Sequence, residues 1–108
     1  MVGGARFDVV LVELDPARGS EIRKTRPCVV ISPDEMNDAL RTVVVAPMTT
    51  QGHLYPWRVP LTFQAREGRI ALDQLRTVDR TRVVQHLGQI DGPTARVLLD
   101  TLAEMFAP

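Results

Sequence analysis

The apolar residues of this chain change period for good at Asp91-Gly92-Pro93. Before that point they come in short runs rich in valine, isoleucine and leucine, broken by proline, glycine and aspartate. Beyond it, Ala95, Leu98, Leu99, Leu102, Met105 and Phe106 recur at helical spacing behind Pro93. Several short strands followed by one amphipathic helix can bury their apolar faces only in a small, strongly bent sheet or barrel, with the helix lying on the sheet or on a second subunit. The predicted fold is therefore mainly β with a C-terminal helix, five to seven strands in all. With no repeat, linker or low-complexity tract, residues 1–108 read as a single domain.

The run Phe7–Leu14 is almost continuously apolar and reads as a strand buried on both faces; Cys28–Ile31 is a second. Ser32 is the expected N-cap of a helix of one to two turns, with Pro33 in its first position and Glu35 in its third. Strands are then expected over Thr42–Ala46, Trp57–Phe63 (Pro60 assigning it to a sheet edge), Arg69–Leu72, Asp73–Val78 and Val83–Ile90. Turns are expected at Gln64–Gly68 and Asp79–Arg82.

Two loops are longer than turns require. The first, Asp15 to Arg26, gathers Glu21, Arg23, Lys24 and Arg26 with no hydrophobic period, and loops of that length are usually functional or disordered. Pro27 fixes its exit and holds Arg26 at the mouth of a strand. The second, Pro47–Pro56, carries Thr49, Thr50, Gln51 and His53.

Thirteen basic residues balance thirteen acidic ones, so net charge gives no evidence of a nucleic-acid partner. Cys28, the only cysteine, is expected to be packed and unreactive. No stretch approaches the roughly 20 apolar residues of a membrane span, and the N-terminus lacks a signal-peptide pattern. The expectation is a cytoplasmic protein with no membrane association. His53 and His86 are far apart and the cysteine adds nothing at ligand spacing, so no metal site or cofactor is expected.

The remaining polar residues are Glu21, Arg23, Lys24 and Arg26; Thr49, Thr50, Gln51 and His53; and Asp73, Gln74 and Arg76. Cations, hydroxyls, amides and a few carboxylates suit the binding of a phosphodiester, and also its cleavage. RNA carries its own nucleophile, the 2′-hydroxyl, so an enzyme needs only to remove its proton, stabilise the phosphoryl charge and protonate the leaving oxygen. Arginine stabilises charge but stays protonated. The candidate bases are Glu21, Asp73 and His53.

Linked blocks sharpen this reading. Leu14-Asp15-Pro16 with Gly19-Ser20-Glu21, then Thr25-Arg26-Pro27 with Val29-Val30-Ile31-Ser32-Pro33, then Val45-Ala46-Pro47-Met48-Thr49-Thr50, Tyr55-Pro56, and Asp73-Gln74 with Arg76-Thr77 resemble the MazF/PemK family of toxin endoribonucleases. The resemblance runs from about Phe7 to Ile90. It implies an SH3-like barrel of the CcdB/PemK kind, a homodimer, and metal-independent, sequence-specific cleavage of single-stranded RNA leaving a 2′,3′-cyclic phosphate or a 3′-phosphate. It places the catalytic residues at Arg26 and Thr49 and matches Glu21 to an acidic position near them. Arg23, Lys24, Thr50, Gln51, Asp73, Gln74 and Arg76 are the expected RNA-binding set. The implied partner is an antitoxin whose acidic and apolar tail folds over the RNA groove.

This chain departs from the family in two places. Many members have glycine where Lys24 stands, so added charge and reduced loop flexibility are expected. The branch that uses the late aspartate as base pairs it with an arginine two residues earlier, where this chain has Ala71, which favours Arg26 and Thr49 over Asp73. The alternative is a CcdB-like, non-enzymatic inhibitor of DNA gyrase. That class ends in an aromatic–glycine–isoleucine pattern, whereas this chain ends Met105-Phe106-Ala107-Pro108. A plain RNA-binding module would need an aromatic platform, for which Tyr55 and Trp57 are the evident surface candidates.

Overall fold

A computed structural model describes residues 4–108. It holds seven strands and two helices: β1 (Asp8–Glu13), β2 (Thr25–Val30), α1 (Asp34–Ala39), β3 (Thr42–Thr49), β4 (Arg58–Phe63), β5 (Arg66–Ala71), β6 (Arg76–Asp79), β7 (Val83–Gln89) and α2 (Gly92–Met105). Short 3₁₀ turns at Leu72–Gln74 and Arg80–Arg82 join the later strands. The strands are ordered β4-β5-β3-β2-β1-β7, and β6 also pairs with β3. The result is the expected mainly β architecture: a curled half-barrel sheet with a C-terminal helix.

The near-continuous apolar runs are explained by two clusters on opposite faces of the same central strands. Val9, Val29, Ala46, Ile70 and Leu98 belong to the cluster that includes α2. Val10, Val12, Cys28, Val30, Val43 and Val45 form the other. Alternate side chains of β1, β2 and β3 therefore enter different cores, and neither face can be polar. At the free edge β4 carries Pro60, as its missing N–H requires. The curl brings the β4–β5 hairpin to β7, where the Gln64 amide donates to the Leu87 carbonyl at 3.2 Å.

Several boundaries differ from expectation. β2 begins at Thr25 and β3 continues to Thr49, so Arg26 and Thr49 are strand residues, not loop residues. Pairing across the sheet satisfies backbone groups on either side of Pro27 and Pro47, which local sequence cannot show. The β4–β5 turn is only Gln64–Ala65, both at positive φ (50° and 63°), the tight hairpin geometry, so Arg66 to Gly68 are strand. Asp73 and Gln74 lie in a 3₁₀ turn rather than in a strand. Ser32 does not cap α1; the N-cap position is Pro33, with no side-chain cap bond. The Ser32 hydroxyl instead donates to Asn37 Oδ1 at 2.6 Å and accepts the Val44 N–H at 3.0 Å, knitting α1 to β3. In α2, Asp91 accepts the Thr94 N–H at 2.8 Å as N-cap, while Phe106, expected on the apolar face, is 73% exposed.

Candidate active site

β2 and β3 are antiparallel, with Cys28 opposite Pro47 and Val30 opposite Val45. Beyond that pairing the two strands run on to Arg26 and Thr49, which line one depression. Residues 23 positions apart in the chain thus share one wall of the surface. The Cys28 thiol reports the surroundings: burial pushes it up to about 12, while Arg76 and Arg26 pull it the other way. It is a packed, inert thiol at the foot of two arginines.

Arg26 donates from Nε to the Arg23 carbonyl at 3.1 Å, which aims the guanidinium and leaves its Nη groups without another bond among the described residues. The Thr49 hydroxyl accepts the Gln51 N–H at 3.2 Å and lies 3.4 Å from the Gln51 carbonyl, so it closes a local turn at the strand end. Arg26, Thr49 and Thr50 line one depression of about 200 Å³ with Phe63, Gln64, Arg66 and Glu67. The last four come from the β4–β5 hairpin, and nothing in the sequence pattern linked them to Arg26.

A second depression, of about 490 Å³, is lined by Glu21, Asp73, Gln74, Arg76, Leu14 and Pro47. Its construction follows from the topology. β5 and β6 pair with successive halves of one side of β3, so the 3₁₀ turn joining them lies against the middle of that strand. The expected RNA-binding residues of this turn therefore meet the first loop.

That loop is built, not loose. Ile22 packs onto the second apolar cluster. The Gln74 side chain accepts the Ile22 N–H at 2.8 Å and donates to the Ser20 carbonyl at 3.1 Å. Glu21 accepts the Arg18 N–H at 2.5 Å, and Arg23 donates to the Gly19 carbonyl at 3.3 Å. Both ends of the Gln74 amide are thus committed to the loop backbone, and its place in the set is as a clamp. Arg76 likewise reaches the Leu14 carbonyl at 3.1 Å.

Lys24 adopts φ +69°, the left-handed region that glycine enters freely. The position demands a conformation that suits glycine, and the lysine holds it under strain.

Asp73 is occupied. Its two oxygens take Arg58 Nε at 3.0 Å and Nη2 at 2.9 Å, and the bond in turn raises the Arg58 pKa above its ordinary value. With both oxygens engaged by the guanidinium, Asp73 is a structural partner of β4. The sequence left Asp73 without its expected arginine partner; the structure supplies one from β4. His53 is exposed, with its ring 5.5 Å from Tyr55. Of the candidate bases, Glu21 alone lines the depression without an ion-pair partner among the described residues.

Residues 5–106 match the family described as PemK-like, MazF-like toxin of type II toxin–antitoxin system. The chain is 38% identical over 71 residues to the endoribonuclease toxin MazF of Escherichia coli (strain K12), an alignment spanning 66% of this chain and 64% of that protein. Its fold is that of MazF from Deinococcus radiodurans (TM-score 0.83, 23% identity, 97% of this chain and 96% of that one). An endoribonuclease in complex with its cognate antitoxin from Mycobacterial species also superposes (TM-score 0.82, 19% identity, 98% of each chain). No helix among the described residues is long and apolar enough to cross a membrane. The family match spans all the blocks that build the two depressions and gives no support to the gyrase-inhibitor alternative. Matched over nearly its whole length, with Arg26 and Thr49 lining one depression, the chain belongs to the PemK-like, MazF-like toxin family of type II toxin–antitoxin systems.

Proposed function

We propose that this chain is a toxin endoribonuclease that cuts single-stranded RNA by turning a ribose 2′-hydroxyl against the adjacent phosphate. The observation that carries the proposal is the convergence of Arg26 and Thr49 at neighbouring strand ends, above a loop pinned in place. A phosphoryl oxygen between them would meet a guanidinium whose terminal nitrogens have no other bond among the described residues, and a threonine hydroxyl. Both strengthen as negative charge builds in the transition state. Arg26 keeps its proton throughout, so its contribution is electrostatic, with hydrogen bonds to the phosphoryl and leaving 5′-oxygens. Glu21 takes the 2′-hydroxyl proton, since Asp73 is held by Arg58; the leaving 5′-oxygen takes its proton from solvent, and Glu21 then returns its own to water.

Arg23, Lys24, Thr50, Gln51 and Arg76 contact the RNA around the scissile phosphate, and Gln74 acts through the loop it clamps. The product is a 2′,3′-cyclic phosphate or a 3′-phosphate, and no metal takes part. The working unit is a homodimer in the cytoplasm, restrained by an antitoxin. The antitoxin complex of the mycobacterial endoribonuclease supports that partner for a protein of this fold.

The test is incubation of purified protein with long single-stranded RNA in EDTA, with ends mapped by primer extension beside Arg26→Ala. Discrete cuts that fall at least about 100-fold in a folded Arg26→Ala protein are expected. Full residual cleavage in the variant would remove Arg26 from the mechanism, and RNA left intact by the wild type would refute the nuclease.

A further inference from the structure

The loop that leaves Thr49 carries an aromatic ladder. His53, Tyr55 and Trp57 alternate along the chain. The Tyr55 and Trp57 rings are stacked at 4.9 Å with 9° between planes, and His53 meets Tyr55 at 5.5 Å and 59°. Aromatic side chains normally contribute through large buried area. Here the chain's single tyrosine and single tryptophan lie side by side at the surface, 39% and 38% exposed.

The ladder is braced. The Arg58 guanidinium lies 5.5 Å over the Tyr55 ring and is itself gripped at two points by Asp73. Arg69 donates to the Gly52 carbonyl at 3.4 Å and ties down the start of the loop. Two cations therefore attach this loop to the sheet, and Asp73 links it to the depression lined by Glu21, Gln74 and Arg76. Trp57 also walls a cleft of about 170 Å³ with Pro56, Thr101 and Met105, so a planar ring laid on the indole has room beside it.

We propose that Tyr55 and Trp57 form a base-stacking platform that holds a nucleotide of the RNA strand flanking the cut site. This rests on the ribonuclease reading above and adds to it a subsite remote from the reacting phosphate. A stacked, exposed aromatic pair flanked by arginine suits single-stranded nucleic acid, because every base has a π-face and duplex bases are not available to stack. The platform grips bases without reading their edges. It raises affinity for any single strand and leaves sequence choice to other contacts.

Trp57 is the chain's only tryptophan, so its emission reports the platform directly. The Arg26→Ala protein is titrated with a short single-stranded RNA oligonucleotide while the wild type is assayed for cleavage in parallel. Saturable quenching is expected, with a loss of affinity of about 5- to 150-fold in Tyr55→Leu, the range set by one base–aromatic stack. Tyr55→Phe, which keeps the ring, should restore the affinity. An unfolded Tyr55→Leu protein would shift the decision to the abasic experiment, in which removing one base next to the cut should abolish the quench. Cleavage by the wild type with no change in Trp57 emission would overturn the platform and leave the nuclease standing. Absence of both cleavage and binding would overturn both. Trp57 emission that resists acrylamide in the RNA-free protein and becomes accessible on dilution would make this face a contact between copies of the chain, and would also overturn the platform.

Discussion

Lys24 offers a stability experiment whose sign is set by the backbone. It stands at φ +69° while its carbonyl accepts the Leu14 N–H at 2.8 Å, so the loop closure itself holds it there. A residue with a Cβ pays about 1–2 kcal/mol in the left-handed region. Glycine avoids that strain but gives up roughly 0.5–1 kcal/mol through the greater freedom of its unfolded chain. The exposed ammonium has no hydrogen bond or ion pair among the described residues, so its removal costs the fold little. Lys24→Gly should therefore stabilise the protein by about 0.5–1 kcal/mol. For a urea m-value of about 2 kcal/mol/M this raises the unfolding midpoint by a few tenths of a molar. Lys24→Ala removes the same charge and keeps the strain, so its midpoint should stay at that of the wild type. In RNA binding the order changes: both variants lose the same cation and should weaken alike. A Lys24→Gly midpoint at or below that of Lys24→Ala would refute the strain argument.

Other expectations follow from the same contacts. Gln74→Ala frees the Ser20 carbonyl and the Ile22 N–H at a cost of about 1–2 kcal/mol. It should speed hydrogen exchange across residues 18–24 and lower kcat more than it raises KM. In a double-mutant cycle, Arg58→Ala and Asp73→Ala should show a coupling of about 1 kcal/mol in stability, since both side chains keep some solvent access (12% and 31%); additive losses would contradict the bidentate pair. Burial raises Cys28 from 9.0 to about 12, so the unfolded chain ionises first as pH rises. Its contribution is intact below pH 9 and is lost progressively between 9 and 12. Urea midpoints at about pH 8 and about pH 10.5 should therefore fall more in the wild type than in Cys28→Ala.

The pattern of β-branched runs, the switch of period at Pro93 and the edge proline at position 60 were legible because each is a local preference. The polar set was legible as an inventory, and the family resemblance named Arg26 and Thr49 within it. Their proximity was not legible, since it depends on a register between strands whose ends both lie beyond prolines, Pro27 and Pro47. The role of Gln74 was hidden for the same reason: its partners Ser20 and Ile22 are more than fifty positions away, on a loop that looks unstructured in sequence. Asp73 shows the limit in the other direction. Its partner was sought two residues upstream and lies fifteen residues upstream, on the next strand of the sheet. Lys24 was read as loss of flexibility, whereas the backbone shows a conformational demand that lysine meets under strain.

The cross-strand placement of Arg26 and Thr49 also predicts where the chain can tolerate length change. Side chains alternate faces along a strand, so deleting one residue between Arg26 and Cys28, or between Pro47 and Thr49, would send one partner into the opposite core. One residue gained or lost between Ser32 and Arg41 leaves both strands in register, and its cost falls instead on the Ser32–Asn37 bonds that tie α1 to β3. A library of single-codon insertions and deletions scored for growth arrest should therefore show two sharply intolerant windows flanking a less sensitive one. The frame of β2 and β3, more than the length of the chain between them, is what evolution has to keep.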